Sequence, residues 1–273
     1  GGRKLRVLVA EDNRTNQMVI AKILERAGHD FKIVANGEEV LDALKGQTFD
    51  IALLDLHMPV MGGVEAAKLS RFMSAGSPRM PIVALTADAT PEARAECEEA
   101  GMDACLTKPI DTRQLFDLFE TLVPGGGAVR RSPEEGAPEA EETAAAAPEG
   151  PEEPRCLDPR YLQELSELGG TSDFVVRLAW TFLKGSKEKV RGLERAVADR
   201  DLEKARELAH ALKGNSGQIG ALALMRASER FSGIAAGELE RNGGPYLEEV
   251  KEELSRVRTA LDEYLGTRNS AVS

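Results

Sequence analysis

Residues 5–13 read LRVLVAEDN and residues 51–59 read IALLDLHMP. In each, an unbroken apolar run (Val7 to Ala10, Ile51 to Leu54) ends at carboxylates: Glu11 and Asp12 after the first, Asp55 after the second. Such a run suits a strand covered on both faces, the situation inside a parallel sheet. Further runs continue outward from these two. Leu5 to Ala10 is followed by a helical pattern at Thr15 to Ala27, Phe31 to Ala35 by Glu38 to Leu44, and Ile51 to Leu54 by Val64 to Met73. Ile82 to Leu85 then precedes Ala89 to Glu99, and Ala104 to Leu106 precedes Thr112 to Leu122. Five strands alternating with five helices predict an α/β domain with a five-stranded, doubly wound, flavodoxin-like parallel sheet. Gly28 stands where the first helix should stop, and Pro81 opens the fourth strand.

The polar residues that break these runs fall at the carboxyl ends of the strands, where ligands bind in open parallel sheets. Three carboxylates at one rim (Glu11, Asp12 and Asp55) would repel one another and call for a hard divalent cation that keeps some of its waters, which suits Mg2+. Thr86 ends the fourth strand and Lys108 follows the fifth. Unrelated solvated charges at strand ends are the plain alternative, weakened because four of the five strands deliver one polar group type each.

From Pro124 to Arg155 the sequence is PGGGAVRRSPEEGAPEAEETAAAAPEGPEEPR, with no apolar periodicity, three Arg and eight Glu. It is expected to be a disordered, self-repelling acidic linker. Residues 3–123 then form the first domain and residues 156–267 an all-helical bundle. Asp158-Pro159 opens a helix, Phe174, Leu178 and Phe182 repeat at helical spacing, and helices are expected at about Leu202 to Ile219, Leu222 to Leu239 and Tyr246 to Leu265. Gly243, Gly244 and Pro245 should break the chain before the last of these, and Trp180, Met225, Phe231 and Ile234 are expected to pack in the core.

Composition narrows the function classes. The chain has 273 residues, 42% hydrophobic and 30% charged, with 35 Lys plus Arg against 46 Asp plus Glu, a net charge of -11. A sequence-independent grip on nucleic acid or anionic membrane is therefore not expected. No apolar run approaches the ~20 residues of a membrane helix. The start, Gly1-Gly2-Arg3-Lys4, has no signal-peptide pattern and no Met, and suits a soluble cytoplasmic piece of a longer protein, whose parent could carry an inner-membrane anchor. Cys97, Cys105 and Cys156 are odd in number and lack metal-ligand spacing, so reduced thiols are expected.

The strings V-L-V-A-E-D-N, L-L-D-L-H-M-P, A-L-T-A and L-T-K-P-I resemble, in order over about Leu5 to Val123, the receiver domain of bacterial response regulators. The resemblance implies that Asp55 is the phosphoacceptor, that Glu11, Asp12 and Asp55 with the backbone carbonyl of His57 hold Mg2+, that Thr86 bonds the phosphoryl group, that Lys108 pairs with its charge, and that Pro109 follows a cis peptide bond. The His57 side chain is expected to face solvent. Cys105 stands where such domains usually carry Tyr or Phe, so the aromatic half of their switch is missing.

In the second domain the apolar seam Leu202, Ala205, Leu208, Ala209, Leu212 and Ile219 leaves His210 roughly 150° from its centre, off the core face. Lys213 projects near the same face, and Gly214 and Gly217 flank the imidazole without bulk. An ordinary exposed histidine is the plain reading of His210 alone. The string A-H-A-L-K-G-N-S-G-Q-I-G-A, residues 209–221, resembles the signature of histidine-containing phosphotransfer (HPt) domains. That implies a phosphorylated His210, phosphoryl charge stabilised by Lys213, and room for a partner receiver at Gly214.

A receiver followed by an HPt domain resembles the carboxyl-terminal part of a hybrid sensor histidine kinase. No P-loop or kinase glycine box occurs, so ATP is not the donor to this chain. The implied partners are a kinase histidine, on the same parent chain or another, and a downstream response regulator. Two other functions share these residues: a receiver that mainly docks a partner under phosphate control, and a sink in which phosphate flows from His210 back to Asp55 and hydrolyses.

Overall fold

The computed structural model describes residues 3–74, 78–87, 90–123, 156–169 and 172–270. The acidic segment 124–155 lies outside the described residues. Five parallel strands, β1 (Arg6–Ala10), β2 (Asp30–Val34), β3 (Ile51–Asp55), β4 (Ile82–Thr86) and β5 (Ala104–Thr107), stand in the order β2-β1-β3-β4-β5. Between and after them run α1 (Arg14–Ala27), α2 (Gly37–Gly46), α3 (Gly63–Met73), α4 (Pro91–Glu99) and α5 (Thr112–Leu122). Strand order reverses between β1 and β3, so the crevice at their carboxyl ends is the topological switch point.

Alternation along each strand divides the core in two. Val7, Val9, Leu53 and Leu85 face α1 and α5, while Leu8, Ala10, Leu54 and Ala84 face the opposite layer with Val40 and Ala67. Every residue of β3 and β4 is buried, which explains the unbroken apolar runs. Helix α1 is stopped by Gly28 at φ 77, and its amide donates back to Leu24 and Glu25. At the mouth of the crevice the loop after β3 folds back tightly. The Gly63 amide donates to the Leu56 carbonyl, and a Cβ at Gly63 would lie 2.3 Å from the Asp55 carbonyl oxygen.

The second unit is helical: α6 (Pro159–Gly169), α7 (Ser172–Ala198), α8 (Leu202–Gly217), α9 (Leu222–Ser232) and α10 (Leu239–Ser270). Helices α7 to α10 pack in a closed ring of neighbours around Phe182, Leu193, Leu212, Phe231 and Val257, and α6 lies on α7. Three expectations are corrected. The helix expected to reach Leu239 stops at Ser232, followed by a turn through Gly237 at φ 83. No break occurs at Gly243-Gly244-Pro245, because α10 runs through Pro245. The proline lies early in the helix, where burial of Leu239, Leu247 and Val250 outweighs local propensity. Trp180 is 69% exposed, whereas Phe174, Leu178 and Phe182 are buried. It sits two residues from Leu178, roughly 200° around the helix from the packed face.

The two units touch. Helix α1 packs against α6 and α7, and the Arg26 guanidinium donates to the Glu167 carbonyl. Among the described residues no helix is long and apolar enough to cross a membrane.

The buried histidine and the tight loop each have a measurable consequence. His29 is buried against Phe116 and Phe119, and burial lowers its pKa from the ordinary value of 6.5. The unfolded chain therefore binds this proton more readily, so the stabilising contribution is full above about pH 6.5 and is lost as pH falls through the lower folded value. Between pH 7.5 and 5.5 the urea midpoint should drop further in wild type than in His29→Leu; parallel drops would contradict the assignment. Gly63→Ala should cost about 1–3 kcal/mol and impair chemistry at Asp55, because α3 must move off the end of β3. Thermal melting and Asp55 phosphorylation would both register it, and an unchanged variant would show that the loop has slack.

Candidate functional site

Glu11 and Asp55 leave adjacent strands at the switch point and converge. Their nearest oxygens, with one of Asp12, all lie within 4.8 Å of one another. Lys108, directly after β5, reaches across the rim. Its Nζ lies 2.6 Å from Glu11 Oε2 and 2.6 Å from Asp55 Oδ2, with all three side chains nearly buried. Backbone geometry aims it there, since the Lys108 amide donates to the Thr86 carbonyl at 2.7 Å and the Lys108-Pro109 bond is cis, as expected. Thr86 itself is buried at the end of β4.

The start of α1 holds Glu11 from the other side. The Asn13 amide (3.1 Å) and Asn16 Nδ2 (3.0 Å) donate to Glu11 Oε1, while the Asn13 side chain caps the helix at Thr15 and Asn16. The His57 amide donates to Asp55 Oδ1 at 3.2 Å. Burial pushes Glu11 up to about 7, opposed by Lys108 and reinforced by Asp55 and Asp12. Asp12 is raised chiefly by burial and then by Asp55. Burial disfavours the Lys108 ammonium, but the charges of Glu11 and Asp55 outweigh it and raise its pKa. Clustered hard oxygens carrying more negative charge than one lysine balances are a donor set that fits a divalent cation.

His210 enters this rim from α8. Asp12, Asp55, His57, Lys108, His210 and Gly214 share one cleft of about 810 Å³. The His57 and His210 rings stand 4.7 Å apart, so the His57 side chain, though exposed, faces the second unit rather than open solvent as expected. Lys213 lies elsewhere. It is buried, and its ammonium is 2.9 Å from Glu229 on α9, because an extended lysine on the half-buried flank of α8 finds a carboxylate there. A Cβ at Gly214 would meet nothing within 4 Å, whereas one at Gly217 would lie 3.6 Å from Pro109 Cδ, so the receiver loop passes closer to Gly217. Asn215 Nδ2 donates to the buried Ser186 hydroxyl on α7 at 2.9 Å, tying α8 to α7 just beyond the histidine.

Asn16 and Lys189 were not legible as site residues. Asn16 belongs to the interior of α1, and only the Asn13 cap hinted that this turn faces the carboxylates. Lys189 on α7 acts electrostatically on Asp12 from the other unit, a contact that only docking creates.

Residues 7–120 match the family model of the response regulator receiver domain, and residues 177–264 match that of the Hpt domain. Among curated relatives, the sensory/regulatory protein RpfC of Xanthomonas campestris pv. campestris is 33% identical over 261 residues, covering 95% of this chain and 34% of that protein. The sensor protein GacS of Pseudomonas syringae pv. syringae is 29% identical, covering 95% and 27%, and the aerobic respiration control sensor protein ArcB of Escherichia coli is 28% identical, covering 91% and 30%. The chain thus spans about a third of the length of these relatives. A solved structure of the receiver domain of sensor histidine kinase PA1611 from Pseudomonas aeruginosa PAO1, described with a magnesium ion in its active site cleft, is 32% identical with a TM-score of 0.40, covering 44% of this chain and 98% of that one. Each unit of the structure therefore has its family, and the chain is a response regulator receiver domain followed by an Hpt domain.

Proposed function

We propose that this chain is a two-site phosphorelay segment, with a receiver over residues 3–123, a linker over 124–155 and an HPt domain over 156–267. Asp55 accepts a phosphoryl group from a kinase histidine and exchanges it with His210, which passes it to a downstream response regulator. The observation that carries this reading is the shared cleft, in which His210 from α8 faces Asp55 and Lys108 from the sheet. The free cysteines fit a cytoplasmic setting.

The chemistry follows from the groups present. A carboxylate ionised at neutral pH needs no base to attack phosphorus, so Asp55 forms the acyl phosphate directly. In onward transfer a neutral imidazole nitrogen of His210 attacks the phosphorus. The N–P bond forms as the P–O bond to Asp55 breaks, and the electron pair returns to the carboxylate. Lys108 is already hydrogen-bonded to that carboxylate and receives the charge without rearrangement. Thr86, at the end of β4, donates its hydroxyl to a phosphoryl oxygen. Glu11, Asp12, Asp55 and the His57 carbonyl would hold Mg2+, which supplies charge neutralisation on the phosphoryl oxygens when bound. Lys213 supports phosphohistidine only by exchanging Glu229 for the phosphoryl group.

Incubation with radiolabelled acetyl phosphate and Mg2+ tests the scheme. Wild type should acquire base-stable, acid-labile label on His210, Asp55→Ala should acquire none, and His210→Ala should carry only base-labile label on Asp55. Base-stable label in Asp55→Ala, or none in wild type, would sink it. The role of Lys108 has its own test. In Lys108→Met at pH 8 the two carboxylates lose their shared cation, and chelator-treated protein should be destabilised by about 3–5 kcal/mol in urea unfolding. Added Mg2+ should restore part of this loss, and an unaffected midpoint would mean that the bridge contributes nothing.

A further inference from the structure

The last turn of α6 carries no basic residue, and Glu164 and Glu167 lie near its end, so its C-terminal carbonyls meet like charge rather than a cation. Helix ends of this kind are stabilised by a positive group. That group comes from the other domain. Arg26, in the last turn of α1, directs its guanidinium at the Glu167 carbonyl and so stands at the C-terminal ends of two helices at once.

Around this contact α6 has two apolar flanks. Leu162 and Leu165 are buried, while Tyr161 and Leu168 line a cavity of about 470 Å³ with Val19, Ile23 and Phe116 of the receiver. Helix α6 also precedes the residues matched by the Hpt family model, which begin at 177. The helices that carry His210 are thus shared with the family, while the contact with α1 at Arg26 is made by an added element.

We propose that α6 is the element by which this HPt domain selects its own receiver over other receivers, and that Arg26 is the specificity-determining residue it recognises, through the carboxyl end of α6. The proposal rests on the exchange between Asp55 and His210. A receiver with an apolar or acidic residue at this place in α1 leaves the Glu167 carbonyl without this donor and brings no cation to Glu164 and Glu167, which penalises the wrong partner. Arg26 touches neither reacting atom, so it acts as a positioning residue.

Transfer between two full-length chains separates this role from a general structural one. A donor chain with His210→Ala is labelled on Asp55 and mixed at low concentration with an acceptor chain carrying Asp55→Ala, whose own receiver competes for its HPt face. Arg26→Glu in the donor should slow the appearance of base-stable label by about fivefold. The same change in the acceptor should accelerate it, because the competing receiver is weakened. Arg26→Lys should retain most of the wild-type behaviour in both positions, and labelling of Asp55 itself should not change. Slowing in both positions, or no change in either, would overturn the proposal. If wild-type chains give no base-stable label, the exchange reading fails by itself. Amide hydrogen exchange over residues 163–169 then still decides the contact: protection equal in wild type and Arg26→Glu would overturn it.

Discussion

The receiver's rim depends on one ammonium group. The strand order brings Glu11 and Asp55 to adjacent strand ends whatever their charge, and at an effective dielectric of ~20 two such charges about 4 Å apart repel by about 4 kcal/mol. Lys108 Nζ sits between them at 2.6 Å from each, on a loop whose amide is bound to Thr86. A nearly buried lysine is tolerated only when fully paired, and this one is paired twice. The arrangement leaves net negative charge on the rim once Asp12 is counted. The site is therefore poised for a cation and for a group that brings charge of its own, as a phosphoryl group does.

Docking uses different physics a short distance away. The apolar side of the receiver that covers α1 and α5 is continuous with the helical core, so one cluster of buried residues spans both domains. Around that seam lie the polar contacts, with Arg26 at the end of α6 and Lys189 near Asp12. Apolar area supplies affinity that any receiver of similar shape could match, whereas charge placement discriminates among receivers. This division lets the reactive cleft stay polar and open while the domains still hold together.

Cys105 changes how the receiver could signal elsewhere. It is half-buried beside Cys97, and burial, with Cys105 next to it, pushes the Cys97 thiol up to about 12, so both behave as small packing groups. No ring is present at Cys105 to swing between positions. Output through the His210 face needs no such ring, because there the phosphoryl group itself is what passes on.

Much of this was legible in the chain. Uninterrupted apolar runs ending in Glu11, Asp12 and Asp55 reported a buried parallel sheet and the end at which it acts, because burial on both faces removes polar residues from a strand and leaves them at its mouth. The 3.6-residue period likewise put His210 off the core face of α8. Residue type misleads at Trp180, since a large aromatic is expected inside, whereas the seam through Phe174, Leu178 and Phe182 leaves position 180 on the far side of the helix. Nor did local propensity anticipate α10 passing through Pro245, since the stabilising burial comes from residues far away in sequence. What only tertiary structure decided was pairing: Lys213 with Glu229, His57 facing His210, Arg26 closing α6. Each joins groups whose proximity depends on how helices and domains pack, and no pattern within a single element encodes a partner on another.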